Sequence, residues 1–179
     1  MHNIIVYGRG GQGAKTAAHV LAEAAFLENK YVLSFPEYGP ERSGAPMRTF
    51  VKIDDKPISD YAPIQKADYI VVIDSSLINL PKLKEKIIEA CHPKTIVLVN
   101  SKVSVDLGKI KVKALDASEI ALRNIGKDFS NVILMSALVK ISKIVKLDSL
   151  EKAIRETLSK KPALLELNLK AIKEAYNKF

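Results

Sequence analysis

The sequence predicts an α/β protein: a mainly parallel, Rossmann-like sheet flanked by helices, with a helical C-terminal third. Three observations carry that prediction. Ile4-Ile5-Val6 is a short β-branched run that breaks into Gly8-Arg9-Gly10-Gly11-Gln12-Gly13 and continues as a helical pattern from Ala14 to Leu27. Apolar runs at 69–74, 95–99 and 110–115 recur between helical patterns, and strands that alternate with helices pair in parallel. Beyond Asp116 every remaining signal is helical. At 179 residues the chain is expected to form one domain, 1–179, large enough to bury a core without disulfide staples.

The glycine-rich turn is the most informative stretch. Gly8 is expected to permit the tight turn, Gly10 to let the backbone approach an anionic ligand, and Gly13 to let helix and strand pack closely. The helix that follows presents unpaired N–H groups and the positive end of its dipole to a phosphate or carboxylate. Two features depart from a dinucleotide site. Such a site wants an acid roughly 20 residues on, at the end of the second strand. Here that region is Tyr31 to Pro36, and its first acid is Glu37, past the proline. Arg9 and Gln12 also make the turn more polar than a dinucleotide requires, and the position of Lys15-Thr16 is wrong for a P-loop. The glycines equally suit a tight strand-to-helix turn with no ligand.

Tyr31 to Phe35 reads as a second strand, ended by Pro36. Residues 35–46 carry three prolines and two glycines and read as a loop of defined shape beside the glycine turn. Tyr38, Glu41, Arg42 and Ser43 on that loop are candidates for ligand or interface contact, because ligands bind at the carboxyl edge of such sheets. Met47 to Ile53 alternates, which predicts a third strand with one face exposed; a turn at 54–57 and a short returning strand from Ile58 would complete a hairpin. A helix is expected from Pro81 to Ala90, and the strand at 95–99 ends in Asn100-Ser101. Asp116 with Glu119, and Asp148 with Glu151, have the spacing of capping boxes. Helices are expected over about 131–145, 148–159 and 162–177. Leu164, Leu165, Leu167, Leu169 and Ile172 do not read as one stripe, which predicts a last helix buried on more than one side and an oligomer.

Composition narrows the function. Apolar residues at 47% and charged residues at 27% are ordinary for a globular protein. No apolar run approaches the roughly 20 residues of a membrane span, and no signal-peptide pattern opens the chain, so a cytoplasmic protein with no membrane partner is expected. Cys91 is the only cysteine and cannot by itself hold an iron–sulfur cluster or zinc. His2, His19 and His92 do not pair at metal-ligand spacing, and no catalytic motif is present. No catalytic or metal residue is therefore assigned. The net charge is +8, and residues 100–179 hold 16 Lys and Arg against 9 Asp and Glu. Those lysines are interleaved with acids and accompanied only by Phe129, Tyr176 and Phe179, which argues for a solvated face and against nucleic acid. Attraction of an acidic partner or phosphorylated cofactor stays open.

Four motifs in order, Gly8 to Gly13, Phe35 to Pro46, Ile53 to Ile58 and Ala67-Asp68-Tyr69, resemble the gamma subunit of 2-oxoacid:ferredoxin oxidoreductases. The resemblance covers the first 80 residues or so by motif and the whole chain by length and element order. The form Glu41-Arg42-Ser43-Gly44-Ala45-Pro46 looks more like the pyruvate enzymes than the 2-oxoglutarate ones, and isovalerate-type enzymes share much of it. The resemblance implies a subunit of a cytoplasmic hetero-oligomer that converts a 2-oxoacid, CoA and oxidised ferredoxin into acyl-CoA, CO2 and reduced ferredoxin. It further implies that thiamine diphosphate, Mg2+ and iron–sulfur clusters sit mainly on other subunits, and that this chain alone binds no cofactor and is inactive. Its glycine turn and Pro/Gly loop would face the region where CoA arrives. Gly8, Gly10, Gly11 and Gly13 would serve backbone approach, and Arg9, Gln12 and Arg42 polar contact with a ligand or neighbouring subunit. Two alternatives remain: a free-standing nucleotide-binding Rossmann-like oxidoreductase, and a purely structural subunit.

Overall fold

A computed structural model describes residues 1–38 and 44–179; the side chain of Tyr38 and residues Gly39, Pro40, Glu41, Arg42 and Ser43 lie outside the description. Among the described residues six strands form one sheet: β1 (His2–Arg9), β2 (Tyr31–Tyr38), β3 (Pro46–Asp54), β4 (Ala67–Val72), β5 (Cys91–Asn100) and β6 (Lys111–Leu115), in the order β2-β3-β1-β4-β5-β6. From β1 through β4 and β5 to β6 the pairing is parallel, whereas β3 is antiparallel to both β1 and β2. The α/β prediction holds, with one inserted antiparallel strand.

The helices are α1 (Ala14–Phe26), α2 (Pro81–Glu89), α3 (Ala117–Ile125), α4 (Ser130–Ser142), α5 (Leu147–Thr157) and α6 (Pro162–Asn177), with a short 3-10 helix at Ser75–Asn79. One face of the sheet packs Ile4, Val6, Val51 and Ile53 against α1 and the C-terminal helices. The other packs Ile5, Tyr7, Phe50, Ile70 and Val72 against the 3-10 helix and α2. Alternate residues of β1 thus serve two cores, as the two-residue period of a strand requires. Helix α1 is rich in alanine, and Ala14, Ala17, Ala18, Ala22, Ala24 and Ala25 are all buried. No helix among the described residues is long and apolar enough to cross a membrane.

Several expectations need correction. β2 runs through Pro36 to Tyr38, where residues 35–46 were expected to be a loop. Pro36 is tolerated because β2 is the edge strand and one side of it has no ladder to donate to. The hairpin joins β2 to β3; among the described residues no returning strand follows Ile58. β3 is buried on both faces, not one: even Lys52 is only 1% exposed, its Nζ donating to the Asp60 carboxylate at 2.7 Å and the Asp60 carbonyl at 2.9 Å. The segment after β3 folds back as a cover over that lysine. Helix α5 begins at Leu147 with no side-chain cap from Asp148, which instead lies in the first turn where a carboxylate suits the dipole. Asp116 does cap α3, its Oδ1 accepting from the Glu119 amide at 2.9 Å. Helix α4 ends at Ser142 because Lys143 turns left-handed, φ 56°. Helix α6 is buried along one stripe, Asn168, Leu169, Ala171, Ile172 and Ala175, while Leu167 is exposed.

Candidate functional site

The chain leaves β1 into the glycine turn at the point where the sheet changes helix side: α1 covers one face and α2 the other. From the carboxyl ends of β1 and β4 the chain leaves toward opposite faces, which is where open α/β sheets place ligands. Within the turn the glycine roles differ from those expected. A Cβ on Gly8 would sit 3.2 Å from the Ala14 Cβ, so Gly8 is the position of close strand–helix packing. Gly11 (φ 95°) and Gly13 (φ 79°) take the left-handed backbone that turns the chain. A Cβ on Gly13 would lie 2.4 Å from Asn131 Nδ2, whereas one on Gly11 would meet nothing within 4 Å. The Gly10 amide donates to the Ala45 carbonyl at 2.9 Å, tying the turn to the start of β3.

Asp74, at the end of β4, organises the turn from across the gap. Its Oδ2 accepts from Arg9 Nε and from Gln12 Nε2, both at 2.9 Å, and its Oδ1 accepts from the Ser76 amide at 2.9 Å. Arg9 also donates to Ser76 Oγ at 3.1 Å and to the Gly44 carbonyl at 3.3 Å, and the Gln12 Oε1 accepts from the Arg9 amide at 2.7 Å. Burial pushes the Asp74 carboxyl up, but the hydrogen bonds from Ser76, Gln12 and Arg9 outweigh it and hold the pKa below its ordinary value. Asp74 is ionised at neutral pH.

Two cavities flank the turn. A polar cleft of about 540 Å³ runs over the ends of β4, β5 and β6, lined by Gly11, Gln12, Asp74, Asn100, Lys102 and Asp116 among others. Asn100 braces it: Nδ2 donates to the Ile73 carbonyl at 3.0 Å and to Ser118 Oγ at 2.8 Å, and Oδ1 accepts from the Ala117 amide at 2.9 Å. Ser118 in turn donates to Asp128 at 2.9 Å, and Asp128 accepts from the Ser130 amide at 3.1 Å. Asp74, Asp116 and Asp128 are thus engaged as caps and pins. A second, apolar cavity of about 300 Å³ lies behind the turn between α1, α4, α5 and α6, lined by Gly13, Thr16, Val20, Phe129, Ile154 and Leu158 among others. The turn is the ridge between them.

The helix starts around the cleft differ in one respect. The 3-10 helix, α3 and α4 have amides taken by Asp74, Asp116 and Asp128. Helix α1, with Gly13 as its N-cap residue, has no side-chain cap and no acid in its first turn. Its first amides have no side-chain partner, and the positive end of its dipole suits an anionic group. Among the described residues, no three His, Cys, Asp or Glu side chains cluster as metal ligands.

Residues 3–178 match the family described as "Pyruvate ferredoxin/flavodoxin oxidoreductase". The chain belongs to this family. It is 43% identical over 185 residues to the "Pyruvate/ketoisovalerate oxidoreductases common subunit gamma" of Thermococcus kodakarensis, covering 99% of this chain and 97% of that one. It superposes on the crystal structure of pyruvate oxidoreductase subunit PORC from Thermotoga maritima with TM-score 0.84 and 35% identity, over 98% of this chain and 95% of that one. It also shares its fold with part of the 2-oxoglutarate:ferredoxin oxidoreductase from Magnetococcus marinus, TM-score 0.82 at 18% identity, over 99% of this chain and 31% of the larger one.

Within this oxidoreductase-family fold, Gly8, Arg9, Gly10, Gly11, Gln12 and Gly13 come together in the turn, and the hairpin bearing Tyr38 returns beside them through Gly44 and Ala45. Glu41, Arg42 and Ser43 lie outside the described residues, as does the Tyr38 side chain. Glu37, the first acid after the Tyr31 to Pro36 stretch, is held by Arg48 at 2.8 Å and lies on the edge strand β2. Asp74 and Asn100 belong to the site although neither was singled out as a binding residue; their place at the carboxyl ends of apolar runs was the available signal. Asn131, whose Nδ2 donates to the Gly13 carbonyl at 3.1 Å from 118 residues away, left no local signal.

Proposed function

We propose that this chain is the gamma subunit of a multi-subunit, CoA-acylating 2-oxoacid:ferredoxin oxidoreductase that acts on pyruvate, and that its glycine turn meets CoA. Full-length similarity to subunits bearing the gamma and PORC names supports membership of such a complex. The observation that carries the ligand reading is the uncapped start of α1 behind the open Gly11, with a polar cleft on one side and an apolar cavity on the other. That pairing suits a long ligand with phosphates and an aliphatic arm. This chain's contribution is to bind and orient: N–H groups for an anion, a rigid turn pinned by Asp74, and a wall that excludes water. Thiamine diphosphate, Mg2+ and iron–sulfur clusters belong on other subunits in this reading, ferredoxin meets the complex rather than this chain, and the protein is cytoplasmic with no membrane or nucleic-acid partner.

The internal engagement of Arg9 and Gln12 favours a second reading, in which the turn only shapes an interface. Reconstitution separates the two. The complex should require this chain for CoA-dependent, ferredoxin-linked pyruvate oxidation, and Gly11→Ala should raise the KM for CoA while assembly is preserved. An assembled Gly11→Ala complex with unchanged KM for CoA favours the interface reading. Full activity of the other subunits without this chain overturns both.

A further inference from the structure

We propose that Asn131 and Asn168 make the apolar cavity behind the glycine turn selective for a neutral group that carries N–H donors on an apolar body. The proposal rests on the reading of that turn as a CoA site and names what the cavity recognises. Both asparagines line the cavity, and both are more than nine-tenths buried, at 7% and 2% exposure. Asn131 Nδ2 donates to the Gly13 carbonyl at 3.1 Å, and Asn168 Nδ2 donates to the Leu164 carbonyl at 2.8 Å. A carbonyl only accepts, so these partners fix which end of each side-chain amide is nitrogen and which is oxygen. Neither Oδ1 accepts a hydrogen bond among the described residues, yet neither is sealed as the buried Asn3 Oδ1 is. Each oxygen therefore keeps accessible surface, and the cavity is the opening that both residues line.

The rest of the wall is apolar, with Val20, Val132, Ile154, Leu158 and Leu164 around the two amides. A few polar atoms in such a wall decide what binds. Here they are two acceptors whose own donors are already used. A carboxylate or phosphate offers only acceptors and finds no partner in them. An ammonium would lose its hydration against the aliphatic wall. A neutral N–H meets an Oδ1 without either cost. Asp128, also on the lining, is committed to Ser118 and the Ser130 amide. The anionic part of a ligand thus belongs at the start of α1 and a neutral donor in the cavity. CoA has two such neutral segments: the arm with its two secondary amides, and the adenine with its amino group. At about 300 Å³ the cavity is at the lower end of small-molecule sites, which suits one segment and not the whole molecule.

The test titrates the full chain separately with pantetheine and with adenosine, followed by the methyl resonances of Val20, Ile154 and Leu158. At least one probe should give saturable shifts, and the tighter of the two says which segment of CoA the cavity takes. Methylating that probe's nitrogens, at the amides or at the amino group, should weaken binding about tenfold, because a buried acceptor then goes without its donor. This deletion is made on the ligand and leaves the fold untouched. Asn168→Leu, which keeps the bulk of the side chain, and Asn131→Ala complete the cycle, each used if circular dichroism shows it folded. The methylation penalty should shrink in at least one of them, a coupling that a merely structural asparagine does not produce. No saturable binding by either probe, a methylated probe that binds as well as its parent, or a penalty undiminished in both variants overturns the proposal. Gly11→Ala in the reconstituted complex separates that failure from a wider one. If it still raises the KM for CoA, only the role of the two asparagines falls; if it does not, the CoA reading of the turn falls too.

Discussion

Replacing Gly13 with alanine should be among the most damaging single changes at the glycine turn, and the structure gives the size. The backbone at Gly13 is left-handed, φ 79°, which costs an L-residue about 1–2 kcal/mol. The new Cβ would also lie 2.4 Å from Asn131 Nδ2 and 3.1 Å from its Cγ, and Asn131 is buried. Relieving such a clash in a packed site costs about 1–3 kcal/mol. The sum is about 2–5 kcal/mol, or a fall in melting temperature of roughly 4–20 °C for a chain of this length. Gly11→Ala is the control: its φ is 95°, but a Cβ there meets nothing within 4 Å. It should suffer only the backbone term, about 1–2 kcal/mol. Urea unfolding of both variants, each repeated in an Asn131→Ala background, completes a cycle. The cost of Gly13→Ala should shrink toward that of Gly11→Ala once Asn131 is truncated. An undiminished cost in that background would refute the argument, because the strain would then lie in the turn alone.

Three further outcomes follow from the same geometry. Because the folded pKa of Asp74 lies below its unfolded value, the folded state binds fewer protons; its contribution to stability is complete above about pH 4 and is lost as pH falls through the folded pKa. Asp74→Asn should therefore be less stable than wild type at pH 7 and converge with it in acid, as measured by denaturant midpoints across pH 2–7; a constant offset refutes the assignment. Arg9→Ala should lower stability by about 1–2 kcal/mol, the worth of a charge-assisted bond discounted for partial exposure, and should raise the Asp74 pKa as read by carboxyl carbon NMR. Asp60→Ala should destabilise more than Lys52→Met, because it strands an ammonium that is 1% exposed whereas the methionine change leaves only a hydrated surface carboxylate. Equal melting temperatures would show that Lys52 reaches water by another route.

Local chemistry made a good part of this protein legible in its sequence. The strand, glycine turn and helix at residues 2–26, the apolar strands β4, β5 and β6, the proline starts of α2 and α6 and the Asp116 cap all depend on neighbours within a few residues. Periodicity, capping and backbone restriction act at that range. What only the tertiary structure decided involves partners far apart in the chain. Whether Pro36 ends a strand depends on that strand being an edge, and the edge exists because β3 inserts between β2 and β1. Whether Lys52 faces solvent depends on Asp60 folding back over it. Arg9 and Gln12 read as free polar groups until Asp74, more than 60 residues on, takes both. Gly13 looks interchangeable with Gly11 until Asn131 packs against one and not the other. Such pairings are set by which surfaces bury one another, and no local residue pattern records that choice.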